Sequence, residues 1–201
     1  MKKKLLSMLF ILIMSFAFAK VESPVLMLKN LSDNLISELS KNKDKISSDE
    51  HLVVSIIDKI LVPKVDKLTM SKAVVGPVYW SKASQSQRDD FVNQFTIMVT
   101  DNYARLFAVY TNQKVTFRPF RSDYENMKKV EISSSVTSGN KQSFNVNYKL
   151  TRDNGNSWLI SDFSIDGISM VGSYKSQFAP VLSAKGLVGL IDDMRKHNIG
   201  S

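Results

Sequence analysis

Val130-Glu131-Ile132-Ser133-Ser134-Ser135-Val136 and Phe144-Asn145-Val146-Asn147-Tyr148-Lys149-Leu150 return an apolar residue at every second position. Trp158-Leu159-Ile160-Ser161-Asp162-Phe163-Ser164-Ile165 starts the same way, breaks near Phe163 and resumes. Alternation of this kind marks strands with one buried face. Ser138-Gly139-Asn140 reads as the turn between the first two strands, and Asp153-Asn154-Gly155-Asn156 as a hairpin turn before the third. Val115, Phe117 and Pro119 begin the rhythm one segment earlier. The expectation is four antiparallel strands in meander order, with a β-bulge at the break near Phe163.

On both sides of this region the apolar spacing is helical. Ser23-Pro24 is a helix start, with proline tolerated in the first turn, and Val25, Leu28, Leu31, Leu35 and Leu39 follow on one face. The stretch from Ser40 to Ser48 reads as a polar loop. Ser47 and Glu50 form a capping box for a second helix carrying Leu52, Val53, Ile56, Ile57, Ile60 and Leu61. Pro63 ends that helix or starts the next. Val65, Leu68 and Met70 suggest a short helix leading to Val74-Val75-Gly76. A second capping box, Ser84 and Gln87, opens the longest helix, which runs to about Tyr110 with Phe91, Phe95, Met98, Val99, Tyr103, Leu106 and Phe107 on one broad side. After the strands, Ser169 or Ser173 caps a segment through Phe178, and Ala184 to Lys196 forms a terminal helix. Helices, then a twisted antiparallel sheet, then helices is an α+β arrangement. The long aromatic helix cannot fill the concave side of the sheet everywhere, so a pocket between them is expected.

The start of the chain addresses where it works. Lys2, Lys3 and Lys4 precede an apolar run from Leu5 to Phe16 and a small-x-small site at Ala17-Phe18-Ala19. That is the layout of a secretory signal peptide, and the run is short of the roughly 20 residues that span a bilayer. The expectation is a signal peptide over residues 1–19 and one domain over 20–201, acting outside the cytoplasm without ATP. Removing residues 1–19 with their three lysines takes 201 residues and a formal charge of +8 to 182 residues and +5. The absence of cysteine excludes disulfides, a thiol nucleophile, a thiolate zinc site and a lipidated cysteine. The basic residues are scattered and no aromatic-basic motif accompanies them, so nucleic acid is not the expected partner.

Catalytic signatures are sparse. His51 and His197 fall in different predicted helices, without acidic partners at ligand spacing, and no nucleophile elbow, P-loop or zinc-protease motif is present. Asp162 and Asp166, beside the last strand, leave two readings open: a general base raised by burial, or a carboxylate that caps a turn or helix. Abundant instead are apolar side chains, with eleven Phe, six Tyr, two Trp and nine Met, which matter for function only if a pocket stays open.

Two segments carry a resemblance. Val75-Gly76-Pro77-Val78-Tyr79-Trp80, with Gln85-Ser86-Gln87-Arg88-Asp89-Asp90-Phe91, Phe95, Tyr103 and Tyr110, is similar to the central helix of the MlaC family, the toluene-tolerance proteins. Trp158 to Val171, with Tyr174, Ser176, Gln177 and Phe178, resembles that family's hallmark segment, and Gly186 to Ile191 agrees. The resemblance runs from about Leu28 to Met194. It implies a cone similar to nuclear transport factor 2 (NTF2-like) with an apolar cavity, and a non-enzymatic, monomeric periplasmic carrier without a cofactor. It also implies exchange of phospholipid with an inner-membrane MCE-domain ABC transporter complex and an outer-membrane lipoprotein-porin complex, maintaining outer-membrane lipid asymmetry. The alternative is a small-molecule enzyme of the same cone fold using Asp162 or Asp166. The loop from Asn112 to Lys129, with Arg118, Pro119 and Arg121, departs from the family pattern.

A lipid carrier of this size is physically reasonable. A 182-residue globule has a radius of gyration of ~16 Å, and an acyl chain is roughly 15 Å long. Each buried CH₂ gains about 0.8 kcal/mol over water, so free lipid diffusion is negligible, while transfer between bilayer and cavity is nearly neutral. The expected lining comes from the long helix and the inward strand residues: Val74, Val75, Phe95, Val99, Tyr103, Phe107, Phe117, Val146, Tyr148, Ile160, Ile165 and Met170. Trp80, Trp158 and Phe163 are assigned structural roles, and Gly76 and Gly167 unusual backbone geometry.

Overall fold

A computed structural model of the chain describes residues 21–46, 49–108, 113–137, 143–154 and 156–199. The signal-peptide segment, Ser47 of the expected capping box, the Ser138-Gly139-Asn140 turn, Gly155 and Tyr110 lie outside the described residues. Helices α1 (Pro24–Lys41), α2 (Lys43–Ile46), α3 (Glu50–Ile60), α4 (Lys67–Val75), α5 (Pro77–Lys82) and α6 (Gln85–Ala108) precede the sheet. Strands β1 (Lys114–Phe117), β2 (Lys129–Thr137), β3 (Ser143–Arg152), β4 (Trp158–Ile165) and β5 (Ile168–Ser169) follow, and α7 (Met170–Ile199) closes the order. The sheet is an antiparallel meander, β1-β2-β3-β4-β5. It has five strands rather than four, because the chain doubles back after Asp166-Gly167 and pairs Ile168 with Ile165 before entering α7. Among the described residues no helix is long and apolar enough to cross a membrane.

Several helix ends follow their sequence signals. Pro24 occupies the first turn of α1, although the Ser23 side chain makes no capping bond. Ser84 and Gln87 form the reciprocal box at the start of α6: the Gln87 N–H donates to Ser84 Oγ (3.2 Å), and the Ser84 N–H donates to Gln87 Oε1 (2.9 Å). At α3 the cap is Asp49, which accepts from the His51 N–H at 3.0 Å. The stretch read as a polar loop contains α2, because Ile46 buries itself against Leu39, Val53 and Ile56. Pro63 sits in a 3-10 turn, Val62–Lys64, between α3 and α4. Gly76 joins α4 to α5 at φ 80, ψ 161, a region essentially reserved for glycine, and this lets the chain turn a corner between two helices. The expected terminal helix and the segment before it form one element, α7, that bends at Gly186 (φ 67).

The core lies where α4, α6 and α7 meet the sheet. Phe91, Phe95, Tyr174 and Phe178 pack as a set of stacked and edge-on rings with centroids 5.2–6.4 Å apart. Trp158 is almost fully buried and its indole N–H donates to Glu22 O (3.0 Å), tying the segment before α1 to the end of the sheet. Trp158, Leu150, Ile132 and Val130 fill that end with side chains.

Candidate functional site

The other end of the sheet is not filled. A cavity of about 550 Å³ lies between the sheet, α1 and α6. From the sheet its wall takes Val115, Val136, Phe144, Val146, Tyr148, Ile160, Phe163 and Ile165; from α6 it takes Phe95, Val99, Tyr103 and Phe107. Leu28, Leu31, Leu35 and Leu39 of α1 form the facing wall, with Ile57, Met70 and Met170 closing the gaps. Lys67 and Asp166 are exposed and also line the cavity, so it opens to solvent.

A one-residue irregularity in β4 decides which side chains reach this space. The register pairs Lys149 with Asp162 but Leu150 with Ile160, so Ser161 is the extra residue of a β-bulge. Its hydroxyl donates to Lys149 O (3.1 Å) and holds the bulge. Strict alternation after Ile160 would send Asp162 inward. The bulge reverses the parity, so Phe163 and Ile165 face the cavity and Asp162 the other way. Phe163 packs edge-on against Tyr103 (5.2 Å between centroids) and belongs to the wall, not only to the scaffold.

Asp162 is buried and fully engaged. Its Oδ1 accepts from the Val171 N–H (3.1 Å), while Oδ2 accepts from Ser169 Oγ (2.8 Å) and Lys149 Nζ (3.2 Å). Ser169 Oγ in turn accepts from the Gly172 N–H (3.0 Å). A carboxylate and a hydroxyl thus satisfy free N–H groups in the first turn of α7, where negative charge is favoured by the helix dipole. Of the two sequence readings of Asp162, capping is the one the geometry matches. Asp166 lines the cavity opening with φ 46 and exchanges two bonds with Asn145: it accepts at Oδ1 and donates through its own N–H, both at 2.9 Å. Gly167 follows at φ 87. His51 lies on the surface at the start of α3 and His197 in the last turn of α7, both away from the wall.

Two hydroxyls on the wall are satisfied within their own helices. Ser32 donates to Leu28 O (2.9 Å) and Thr96 to Val92 O (2.6 Å). Burial pushes the Tyr148 phenol up from its ordinary value, partly offset by a hydrogen bond with Ser134. Burial likewise raises Tyr103, with Tyr174 and Asp162 adding in the same direction. Both phenols are neutral at physiological pH, so they add no charge to the wall.

Of the twelve residues expected to line the pocket, Phe95, Val99, Tyr103, Phe107, Val146, Tyr148, Ile160, Ile165 and Met170 are brought together on its wall. Val74 and Val75 are not: they are sealed in the packed core, because Gly76 turns the end of α4 into the helix cluster. Phe117 packs against Tyr148 (6.2 Å between centroids) and stops short of the wall. The α1 leucines were legible as an apolar stripe but not as cavity wall, since periodicity does not say what a stripe faces. The Ser161-Asp162 break in alternation was the available signal for Phe163. Gln113, a polar wall residue just before β1, carried no sequence signal.

The family described as "MlaC protein" matches residues 29–196. The chain is 25% identical over 180 residues to the toluene tolerance protein ttg2D of Pseudomonas putida, covering 89% of this chain and 82% of the relative. It is 24% identical over 176 residues to the intermembrane phospholipid transport system binding protein MlaC of Haemophilus influenzae, covering 87% and 81%. Among solved structures, the phospholipid-binding protein of Ralstonia solanacearum, determined in complex with a phospholipid, superposes with a TM-score of 0.79 at 24% identity, over 90% of this chain and 98% of that one.

Proposed function

Because this chain belongs to the MlaC family, we propose that it is a periplasmic phospholipid carrier. In this reading the cavity holds acyl tails and the headgroup stays in water at the opening. The observation that carries it is the 550 Å³ space walled almost wholly by aliphatic and aromatic side chains. A cavity of ~150 Å³ lined by Leu, Ile and Phe accepts benzene, so by proportion this one takes roughly twenty carbons: one full acyl chain and part of another. Each methylene kept from water is worth about 0.8 kcal/mol, which retains the lipid between membranes. Delivery into a bilayer is close to neutral, so direction comes from the partners.

Those partners are an inner-membrane MCE-domain ABC transporter complex and an outer-membrane lipoprotein-porin complex, and the outcome is maintained asymmetry of the outer membrane. Residues 1–19 are the export signal and residues 20–201 the carrier domain. Two observations support a non-enzymatic role: the buried carboxylate of Asp162 is occupied as a helix cap, and Asp166 is tied to the Asn145 backbone. Native mass spectrometry of the protein purified from the periplasm of its host tests the reading. Phospholipid near one per chain is expected; protein that stays bare when incubated with phospholipid vesicles would overturn it.

A further inference from the structure

Two donors on the cavity wall have no partner in the protein, and they share one corner of it. Thr100 is 6% exposed and lines the cavity, yet its hydroxyl makes no hydrogen bond among the described residues. A threonine inside a helix ordinarily returns its hydroxyl to the carbonyl four residues back, as Thr96 does to Val92 O (2.6 Å); Thr100 does not. A buried hydroxyl left unpaired is costly and calls for an explanation. Lys67, the first residue of α4, is exposed, borders the same cavity and is the only cation on the described wall. It has no ion pair among the described residues. Both α3 and α4 pack against α6. Asp58 on α3 is raised by burial and by Asp101, the residue after Thr100, and pulled back by Lys67. Lys67 and Thr100 therefore sit where three helices meet, the buried hydroxyl inside and the ammonium at the rim.

We propose that this corner is the polar end of the lipid site: the Lys67 ammonium pairs with the phosphate at the rim, and the Thr100 hydroxyl donates to an ester carbonyl just inside. The inference rests on the carrier reading above. In a phospholipid the ester joins the tail and the phosphate lies one glycerol farther out, the same order as the two donors. The phosphate stays in water at the rim, so pairing with Lys67 carries little desolvation cost. The other wall polars do not compete. Ser32 and Thr96 donate to their own helix, Tyr148 is bonded to Ser134, and the Gln113 amide nitrogen is shielded from the cavity as well as from solvent. The Tyr103 phenol feels the charge of Asp162, and the Asp166 carboxylate borders the cavity beyond the last residue of β4, so that end repels a phosphate. Lys67 lies away from it: its neighbour Asp66 donates to Ile160 O near the start of β4 (2.9 Å).

The test uses delipidated mature protein and vesicles containing equal amounts of phosphatidylglycerol and diacylglycerol with identical tails. Native mass spectrometry reads both lipids on the protein at subsaturating lipid. Lys67→Met is expected to lower the ratio of phosphatidylglycerol to diacylglycerol about fivefold at low salt, and less as salt is raised, while Lys67→Arg keeps the wild-type ratio. Thr100→Val, which keeps the shape and removes the hydroxyl, is expected to lower uptake of both lipids by the same factor, about fivefold, because both carry the ester. Its lipid-free form should melt at or above the wild-type temperature, since an unpaired hydroxyl is gone, and Thr100→Ser should keep wild-type uptake. A ratio unchanged by Lys67→Met overturns the phosphate contact. Unchanged uptake by Thr100→Val, or equal loss in Thr100→Val and Thr100→Ser, overturns the ester contact. Inorganic phosphate alone is expected to leave the melting temperature unchanged; a rise that disappears in Lys67→Met marks a free-phosphate site and overturns the lipid assignment. Wild-type protein that takes up neither lipid overturns the carrier reading itself.

Discussion

Val146→Trp separates an open cavity from a packed interior. Val146 is buried in the middle of β3, paired with Ser134 on one side and Ile165 on the other, and its side chain reaches the wall. Tryptophan adds about seven non-hydrogen atoms, which at roughly 25 Å³ per carbon occupy ~175 Å³, a third of the 550 Å³ available. The displaced space corresponds to about seven methylenes, so the ceiling on lost lipid affinity is ~5–6 kcal/mol if all of them move into water. The opening lets the tail slide outward, so the expected loss lies below that ceiling but exceeds about tenfold, or about 1.4 kcal/mol. Stability of the lipid-free protein moves differently. In a filled core the same substitution overpacks and costs about 1–3 kcal/mol. Here the indole enters empty space, so the lipid-free variant should melt at or above the wild-type temperature. The assay pairs thermal melting of delipidated protein with phospholipid quantified per chain after incubation with vesicles. A destabilised variant with wild-type lipid content would refute the reasoning on both counts.

Other consequences follow from the same geometry. Asp162→Ala removes the cap of α7 and should cost about 1–2 kcal/mol in chemical denaturation, whereas Lys149→Ala, whose side chain is 57% exposed, should cost less than about 1 kcal/mol; equal losses would contradict the capping role. Tyr103, Tyr148 and Tyr174 all have phenols raised by burial. Their contribution is therefore fully present below about pH 10, where unfolded tyrosine begins to ionise, and is lost as the pH rises further, because the unfolded chain then releases protons that the folded one retains. In an alkaline titration, phenolate absorbance from these three should appear above the ordinary tyrosine range; phenolate forming in the folded protein at the ordinary tyrosine value would count against their burial.

Much of the scaffold is legible in the chain because it depends on neighbours in sequence. The Ser84-Gln87 box, the helix start at Pro24, the glycine at the α4–α5 corner and the alternation in β2 and β3 each act within a few residues, and the structure contains them. The family signature is of the same kind, since it is carried by residue types along the chain. What lay beyond the sequence concerns faces and gaps. Periodicity marks Leu28, Leu31, Leu35 and Leu39 as one stripe, but only the packing of α1 across the sheet shows that the stripe faces a space. The single extra residue at Ser161 swaps Phe163 for Asp162 at the wall, and its consequence appears only once β4 is registered against β3. Val74 and Val75 read like Val99 in sequence, yet one turn at Gly76 seals them in the core. An apolar residue is driven out of water whether it meets another side chain or lines a hollow large enough for hydrocarbon. Hydrophobicity along the chain is blind to that difference, and the tertiary arrangement of α1, α6 and the bulged sheet decides it.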